Sequence, residues 1–422
     1  MSSTFSPASP FEALRKARLE VGRGHHSFVY VPKQPLAVEN PESLPLGGLP
    51  IAVKDVIDCQ GMPTAAGSRF TTVQPRSARL IGQLVAAGAA VVGKTQAHQF
   101  SFGTTGDVSF AGAVRNASDP SLMAGGSSGG SAVAVALGIV PVAVGTDTAG
   151  SLRIPAALNS VVGFKPTYGA LSSEGIFPLS PSLDTPGFVG RDVSTLLTVW
   201  KALHDAADDA QRSVRGDRPV RFGVLPRTSR TGMASRLEKV FVSTLERLNK
   251  ERHAVQETHH VDLEVLRHHY LTIIGWEGSM IHDGLSRLAP DLYDDEIRQR
   301  ITNLAGVTFD DYLAALNAAQ QQSRDLVSFF QEYDVLMSPT LAIETPQIGQ
   351  RTVQDDSGLE QVWGALAHFT SSWNVVGFPA VSLPIPRAEP SLPVGIQLVG
   401  RPGRDIELLA IAEKVEVLLQ QP

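Results

Sequence analysis

The chain has 422 residues and a formal net charge of −6. This mild acidity argues against the strongly basic surface of a nucleic-acid-binding protein and against the basic patch that binds membrane surfaces. The single cysteine, Cys59, excludes an internal disulfide and a metal site built from several cysteines, and it favours a reducing compartment. A chain of this length can bury a sizeable core in one large α/β domain or in two or three domains.

The first residues, Met1 to Glu20, lack the positively charged segment and apolar core of a signal peptide. The longest apolar run, Ala132 to Gly145, is interrupted by Gly138 and Pro141. It is also shorter than the roughly 20 apolar residues that a membrane-spanning helix needs. We therefore predict a soluble, cytoplasmic protein with no membrane and no nucleic acid among its partners.

Strand-like and helical segments alternate along the first half of the chain, after one short helical pattern and a proline-rich stretch. Such alternation predicts an α/β fold with a largely buried sheet. The segments are, in chain order, strand LPIAVKDVID (49–58), helix ARLIGQLVAAGA (78–89), strand AVVGKT (90–95), helix GGSAVAVALGI (129–139), strand PVAVGT (141–146) and strand VVGFKPT (161–167).

The middle of the chain is richer in charge and in helix-forming residues, and strand-like runs return near the C-terminus as YDVLMSPT, FPAVSLPI and PVGIQLVG. A sheet that is begun early and completed late favours one domain. We predict an N-terminal extension with a short helix over residues 1–45 and a single domain over 46–422. Within that domain we predict a core at about 46–193, a variable helical substrate-side region at about 194–334 and C-terminal strands with a helix at 335–422.

Two clusters of glycine and serine, GGSSGG (125–130) and GTDTAGSLR (145–153), flank the predicted buried helix and strand. The first cluster could bind a phosphate, because a glycine-rich loop before a helix offers backbone N–H groups to an anion. However, Ser131 and Ala132 stand where a phosphate-binding P-loop carries Lys and Ser or Thr. Nucleotide binding is therefore disfavoured.

The first cluster also satisfies the G-x-S-x-G pattern of a nucleophile elbow, with Ser128 as the nucleophile. That chemistry needs an acid and a histidine further along the chain. Among 11 histidines the best candidates are His282 and His368, and neither lies in a convincing context.

A third interpretation pairs a serine with a lysine, because burial can lower the pKa of a lysine until its neutral amine acts as a base. Lys54, Lys94 and Lys165 all lie in apolar, strand-like surroundings, and the residues alone do not choose among them. The small residues before Ser151 suit a tight turn whose amides form an oxyanion hole. Asp147 and Arg153 could form an ion pair that pins this turn.

The run from Gly125 to Ala156 resembles the signature of the amidase signature family. Four further segments agree with that family in the right order, and the resemblance covers most of Leu46 to Val193 and about Asp334 to Leu409. These segments are LPIAVKDVIDCQGMPTAAGS, AAGAAVVGKTQAHQFSFG, VVGFKPTYGALSSEGIFPLSPSLDTPGFVGRDV and FPAVSLPIP with LPVGIQLVGRPG.

The resemblance implies a large, mixed, mostly buried β-sheet covered by helices on both faces, and a Ser–cisSer–Lys hydrolase that needs no metal and no cofactor. Lys54 matches the family's base, Ser127 the serine that follows a cis peptide bond, and Ser151 the nucleophile. Ser128 becomes a supporting hydrogen-bonding residue. The implied oxyanion hole consists of the backbone amides of Thr148, Ala149, Gly150 and Ser151, and Ala149 replaces a glycine of many members.

We therefore expect an amidase that cleaves the C–N bond of a small-molecule amide through an acyl-enzyme on Ser151, as a possible homodimer. The alternatives are the glutaminase subunit of a tRNA-dependent amidotransferase, which would need partner subunits, and an allophanate- or carbamate-type hydrolase. A binding protein without catalysis is disfavoured, because the three implied catalytic residues are present. Candidates for the substrate pocket are Phe102, Met123, Trp276, Ile343 and Trp373.

Overall fold

The computed structural model of the chain describes residues 9–21, 24–204, 218–251, 253–258, 261–355, 358–385 and 394–421. Its strands are β1 (Phe28–Tyr30), β2 (Pro50–Lys54), β3 (Pro63–Thr64), β4 (Thr72–Val73), β5 (Ala90–Thr95), β6 (Val142–Asp147), β7 (Val162–Lys165), β8 (Thr185–Gly190), β9 (Arg221–Val224), β10 (Ala254–Glu257), β11 (Val335–Pro339), β12 (Thr352–Asp355), β13 (Gly358–Gln361), β14 (Ala380–Pro384) and β15 (Gly395–Val399).

The α-helices are α1 (Pro10–Val21), α2 (Arg79–Ala86), α3 (Gly129–Ala136), α4 (Arg153–Leu158), α5 (Val193–Leu203), α6 (Ser235–Lys250), α7 (Leu263–Leu288), α8 (Asp295–Leu304), α9 (Phe309–Leu326), α10 (Phe329–Glu332), α11 (Val362–Ala367), α12 (Ser372–Val375) and α13 (Asp405–Gln420). Short 3₁₀ turns lie at Pro41–Ser43, Gln99–Ser101, Arg227–Arg230 and Pro290–Leu292. No helix in the described ranges is long and apolar enough to cross a membrane.

A single mixed sheet of 11 strands organises the fold, in the order β1-β5-β2-β6-β8-β7-β14-β15-β11-β9-β10. Strands β5, β2 and β6 run parallel, as do β11, β9 and β10. The strands between these two groups pair antiparallel. The predicted large, mixed sheet is confirmed.

Alternate residues of the central strands face two different cores, as the two-residue period of a strand requires. In β2, Ile51 and Val53 belong to one apolar cluster and Ala52 to another. Leu80 of α2 packs into the first cluster, and Leu14 of α1 packs into the second. Helices therefore cover both faces of the sheet, as predicted.

Three strands near the two ends of the sheet arise from segments for which we predicted no strand. Strand β1 lies in the proposed N-terminal extension and pairs antiparallel with β5. Strands β9 and β10 lie in the proposed helical region and extend the opposite side of the sheet. Each of these three strands has at most four residues, which is too short for an alternating pattern to stand out.

The carboxyl ends of neighbouring parallel strands bring the two serine clusters together. Strand β2 ends at Lys54, and its parallel neighbour β6 ends at Asp147. Helix α3 begins just after Ser128, and α4 begins just after Leu152. Ligand-binding clefts commonly form at the carboxyl ends of parallel strands, so the topology indicates that a binding site lies in this region.

Gly130 lets helix α3 approach the backbone of the preceding loops. The Gly130 amide donates to the carbonyl oxygen of Gln96 at 3.1 Å. A Cβ at position 130 would lie 2.5 Å from the Ser27 carbonyl oxygen and 2.6 Å from backbone atoms of Gln96. A side chain here would push the helix that carries the first serine cluster away from its seat.

Two glycine substitutions should therefore change stability in opposite directions. Gly130→Ala should lower the free energy of unfolding by about 1–3 kcal/mol, because the new methyl group overlaps backbone atoms. Gly82→Ala, in helix α2, should raise it by about 0.5–1 kcal/mol, because nothing lies within 4 Å of the new Cβ and alanine favours the helix. Urea unfolding followed by circular dichroism measures both, and equal effects would contradict the packing argument.

Candidate active site

Lys54 lies fully buried at the end of β2. Its Nζ donates to Ser127 Oγ and to Thr146 Oγ1, each at 2.7 Å. Burial lowers the pKa of Lys54 to about 7, although the carboxylates of Asp184 and Asp147 oppose this shift. A substantial fraction of Lys54 is therefore a neutral amine near neutral pH and can accept a proton.

The other two candidate lysines have different partners. Lys94 Nζ donates to Thr64 Oγ1 at 2.8 Å and lies 3.7 Å from Asp55 Oδ1. Lys165 Nζ donates to the Pro166 carbonyl oxygen at 2.9 Å, and burial lowers its pKa to about 7 as well. A lowered pKa therefore does not select the base. The contact with Ser127 distinguishes Lys54 from the other two lysines.

The first serine cluster is held by its backbone. The Gly126–Ser127 peptide bond is cis, as the resemblance implies, and the Ser127 carbonyl oxygen accepts the His98 amide at 3.0 Å. Ser128 donates its hydroxyl to the Thr146 carbonyl oxygen at 3.1 Å and its amide to the Ser151 carbonyl oxygen at 3.1 Å. The Ser128 amide thus ties the two clusters together.

The nucleophile-elbow interpretation does not fit these contacts. The Ser128 hydroxyl is buried and donates its hydrogen bond to the carbonyl oxygen of Thr146 in β6. His282 Nδ1 lies 3.0 Å from the hydroxyl of Tyr293, and the ring of His368 packs on Phe369. Neither histidine pairs with Ser128 in the described structure.

The turn that carries Ser151 closes around the carboxylate of Asp147. Asp147 accepts the amides of Gly150 at 2.7 Å and Leu152 at 3.2 Å. It also pairs with Arg153, with Nη2 to Oδ1 at 2.8 Å and Nε to Oδ2 at 3.0 Å. Burial raises the pKa of Asp147, but the Arg153 guanidinium, the charge of Lys165 and the hydrogen bond from Asn374 together outweigh burial and bring the pKa to about 2.

This geometry corrects the predicted oxyanion hole. The amide of Gly150 is directed to Asp147, so it is already occupied. The amides of Thr148, Ala149 and Ser151 have no acceptor among the described residues, and they remain the candidate donors. Gly150 has φ +118°, whereas Ala149 lies outside the left-handed region, so the methyl group in place of a glycine is accommodated there.

C-terminal residues that the sequence did not single out pin the same turn. Arg153 donates to Gln397 Oε1 at 2.6 Å, to Asn374 Oδ1 at 2.7 Å and to the Thr370 carbonyl oxygen at 2.9 Å. Thr370 in turn donates its hydroxyl to the Ala149 carbonyl oxygen at 2.6 Å. The sequence offers one indication of this network, since Gln397 is a polar residue within the otherwise apolar strand GIQLV.

Asp184 is a second residue that sequence reasoning missed. It accepts the Thr148 hydroxyl at 2.6 Å and the amides of Leu179 at 2.8 Å and Ser180 at 3.0 Å. Burial raises the pKa of Asp184 to about 6, against these hydrogen bonds and the charge of Lys54. Its carboxylate is the main charge that opposes the lowered pKa of Lys54.

A cavity of about 320 Å³ opens directly onto Ser151. The Ser151 hydroxyl has no hydrogen-bond partner in the part of the chain described, so it is available to a molecule in the cavity. The wall also contains Thr148 and Ala149. Apolar and aromatic residues make up much of the remaining lining: Phe102, Leu179, Tyr270, Leu271, Ile274, Leu304 and Trp363.

Of the five predicted pocket residues, Phe102 lines this cavity and the other four do not. Met123, Ile343 and Trp373 are buried in the core away from the lining. Trp276 stacks on Tyr312, at 5.8 Å between ring centroids. Trp276 follows the lining residue Ile274 by two positions on helix α7, which turns its side chain about 200° around the helix.

No group of three or more His, Cys, Asp or Glu residues that could hold a metal ion occurs among the residues described. The groups gathered beside the cavity are a buried amine, two serine hydroxyls and backbone amides. This set of groups suits attack on a carbonyl carbon.

Comparisons with known proteins show what the chain resembles in sequence and in structure. A family profile described as Amidase matches residues 33–409. A glutamyl-tRNA(Gln) amidotransferase subunit from Symbiobacterium thermophilum is 33% identical over 87% of this chain and 82% of its own. Mandelamide hydrolase of Pseudomonas putida is 32% identical over 90% of this chain and 80% of its own. A crystal structure described as an amidase superposes with a TM-score of 0.85 at 33% identity, covering 97% of this chain and 96% of its own.

Arg153→Lys should destabilise the protein strongly, because a lysine cannot replace the guanidinium fork that meets Asp147, Asn374 and Gln397. We expect the free energy of unfolding to fall by about 3–5 kcal/mol, as for other broken buried ion pairs. Arg218→Lys is the control: its side chain is 38% exposed, and its partner Asp334 keeps Arg221. The control should change stability by less than about 1 kcal/mol in the same urea titration. Similar losses in both variants would contradict the role assigned to the buried network.

Proposed function

The chain belongs to the amidase family, and from this membership and its site we propose that it is an amidase that hydrolyses a carboxylic amide to an acid and ammonia or an amine. The observation that carries the proposal is the 2.7 Å hydrogen bond from the buried amine of Lys54 to Ser127, beside a cavity that opens onto Ser151. These residues would supply the base, the relay hydroxyl and the nucleophile at one edge of the sheet.

In the proposed reaction, neutral Lys54 takes the proton of the Ser127 hydroxyl while Ser127 takes the proton of Ser151. The Ser151 oxygen then forms a bond to the amide carbonyl carbon, and the carbonyl π electrons move to the oxygen. The amides of Thr148, Ala149 and Ser151 would stabilise that negative charge. Collapse of the intermediate breaks the C–N bond, and the leaving nitrogen receives the proton back through Ser127.

A water molecule completes the cycle by the same relay. It loses a proton towards Lys54 through Ser127, attacks the acyl carbon and releases the acid, and Ser151 recovers its proton. The buried position of Lys54 supports this role, because a fully exposed lysine with a pKa near its usual value would be protonated and could not act as a base.

The glutaminase subunit of a tRNA-dependent amidotransferase is the second candidate, supported by the amidotransferase relative from Symbiobacterium thermophilum. The mandelamide hydrolase is nearly as similar, so overall identity does not separate the two functions. A carbamate-type hydrolase is the third candidate. A cytoplasmic location and a homodimer stay predictions from the sequence.

Hydrolysis of a substrate panel tests the proposal, with ammonia measured for primary amides, glutamine and primary carbamates, and the released acid measured for esters. Ser151→Ala should lower kcat by at least about a thousandfold, because the nucleophile is lost. Ser173→Ala, on an exposed loop, should match the wild type. Undiminished release by the Ser151 variant would overturn the assignment of the nucleophile. Release from glutamine alone, and only with added partner subunits, would favour the glutaminase.

The dependence of kcat/KM on pH tests the base. Protonated Lys54 cannot accept a proton, so kcat/KM should rise as pH increases through about 7. The Asp184 carboxylate stabilises the charged amine and raises the pKa of Lys54. Asp184→Asn should therefore move the acid limb to lower pH, while Asp119→Asn, at an exposed carboxylate, should leave it in place. A shift to higher pH in the Asp184 variant would contradict this electrostatic role.

A further inference from the structure

The charged side chains at the wall of the cavity are paired with one another. Arg300 donates to Glu296 Oε1 at 3.1 Å, and Arg351 donates to Glu296 Oε2 at 2.6 Å. Arg351 also donates to Asp107 Oδ2 at 2.7 Å. Two guanidinium groups thus meet two carboxylates in one chain of contacts, and the formal charges cancel.

Glu296 is the centre of this chain because each of its oxygens binds a different arginine. It lies in the first turn of helix α8, one turn before Arg300. The guanidinium of Arg300 also donates to the Phe102 carbonyl oxygen and lies 5.3 Å from the ring centre of Trp363. These contacts orient Arg300 along the wall of the cavity.

The remaining lining is uncharged. It combines the apolar and aromatic residues described above with a few amides and hydroxyls, such as Gln299, Asn303 and Thr104. A cavity of roughly 150 Å³ is enough to hold benzene. The observed volume of about 320 Å³ therefore accommodates a ring or a medium-length aliphatic chain beside Ser151.

We propose that this cavity accepts amides with an uncharged, apolar acyl group, and that Glu296 determines this preference by neutralising Arg300 and Arg351. The inference rests on the proposed amidase function and names its substrate class. A carboxylate on the acyl group would lose its hydration on entering the cavity. Because both guanidiniums already pair with a carboxylate, no new ion pair would compensate for this desolvation. An ammonium group would likewise lose its hydration without gaining an ion pair, because the carboxylates are already paired with arginines.

Three amides with the same polymethylene chain test the proposal: hexanamide ends in methyl, adipamate in carboxylate and 5-aminopentanamide in ammonium. We expect the wild-type kcat/KM for hexanamide to exceed that of each charged probe by about tenfold or more. Glu296→Gln frees one positive charge, so it should raise the adipamate-to-hexanamide ratio of kcat/KM by about tenfold, a typical gain from a charged hydrogen bond. The change should appear mainly in KM.

Glu238→Gln is the matched control, because it breaks an Arg–Glu pair (Arg230–Glu238, 3.2 Å) that does not line the cavity. This variant should leave the substrate ratios unchanged. Arg351→Gln supplies an independent variant, since its side chain is 38% exposed and its loss leaves an excess of negative charge. It should shift the preference towards 5-aminopentanamide.

The outcomes separate this inference from the proposed function. Ser151-dependent hydrolysis of adipamate at the rate of hexanamide by the wild type would overturn the inference and leave the amidase assignment standing. Unchanged ratios in both Glu296→Gln and Arg351→Gln would overturn the role of the paired charges. Hydrolysis that is equal in the Ser151→Ala variant would overturn the assignment of Ser151 as the nucleophile, on which the proposed mechanism rests.

Discussion

The buried ion pair between Asp147 and Arg153 is the interaction on which the site depends. Both side chains are fully buried, and an unpaired charge in such a place would cost several kcal/mol. Here nearly every donor and acceptor of the pair is satisfied by backbone and side-chain groups. Because Asp147 ends β6 and Arg153 begins α4, closing this pair fixes the turn between them and therefore the position of Ser151.

Burial favours the neutral form of Lys54, which lies at the end of the neighbouring strand, whereas Asp147 and Arg153 stay charged because they pair with each other. Its hydrogen-bond partners are two neutral hydroxyls, those of Ser127 and Thr146, instead of a carboxylate. The pKa of Lys54 therefore falls to about 7, whereas Asp147 stays charged beside Arg153. Adjacent groups on one sheet edge thus reach different protonation states, as separate roles in acid–base chemistry require.

The sequence predicted the mixed sheet, the buried small-residue helix and the importance of both serine clusters, because these depend on local pattern and a long recognisable signature. It did not predict Asn374 or Gln397 against Arg153, since more than 200 residues separate those contacts along the chain. The sequence also did not predict that the Gly150 amide donates to Asp147, because this contact depends on the conformation of the turn. Four of the five predicted pocket residues lie away from this cavity, because bulk and hydrophobicity do not tell which buried side chains face it.

Relatives of about the same identity carry different names, one a mandelamide hydrolase and the other part of an amidotransferase. In the proposed mechanism, the groups that act on the carbonyl itself, Lys54 and the pinned turn, do not contact the rest of the substrate. Under that mechanism, discrimination between substrates arises where the acyl group would lie, along α7, α8 and the residues Arg351, Gln361 and Trp363. In this chain the charged residues that line the cavity, Arg300, Arg351 and Glu296, pair with one another. Shape and apolar contact are then the proposed physical basis for selecting a substrate.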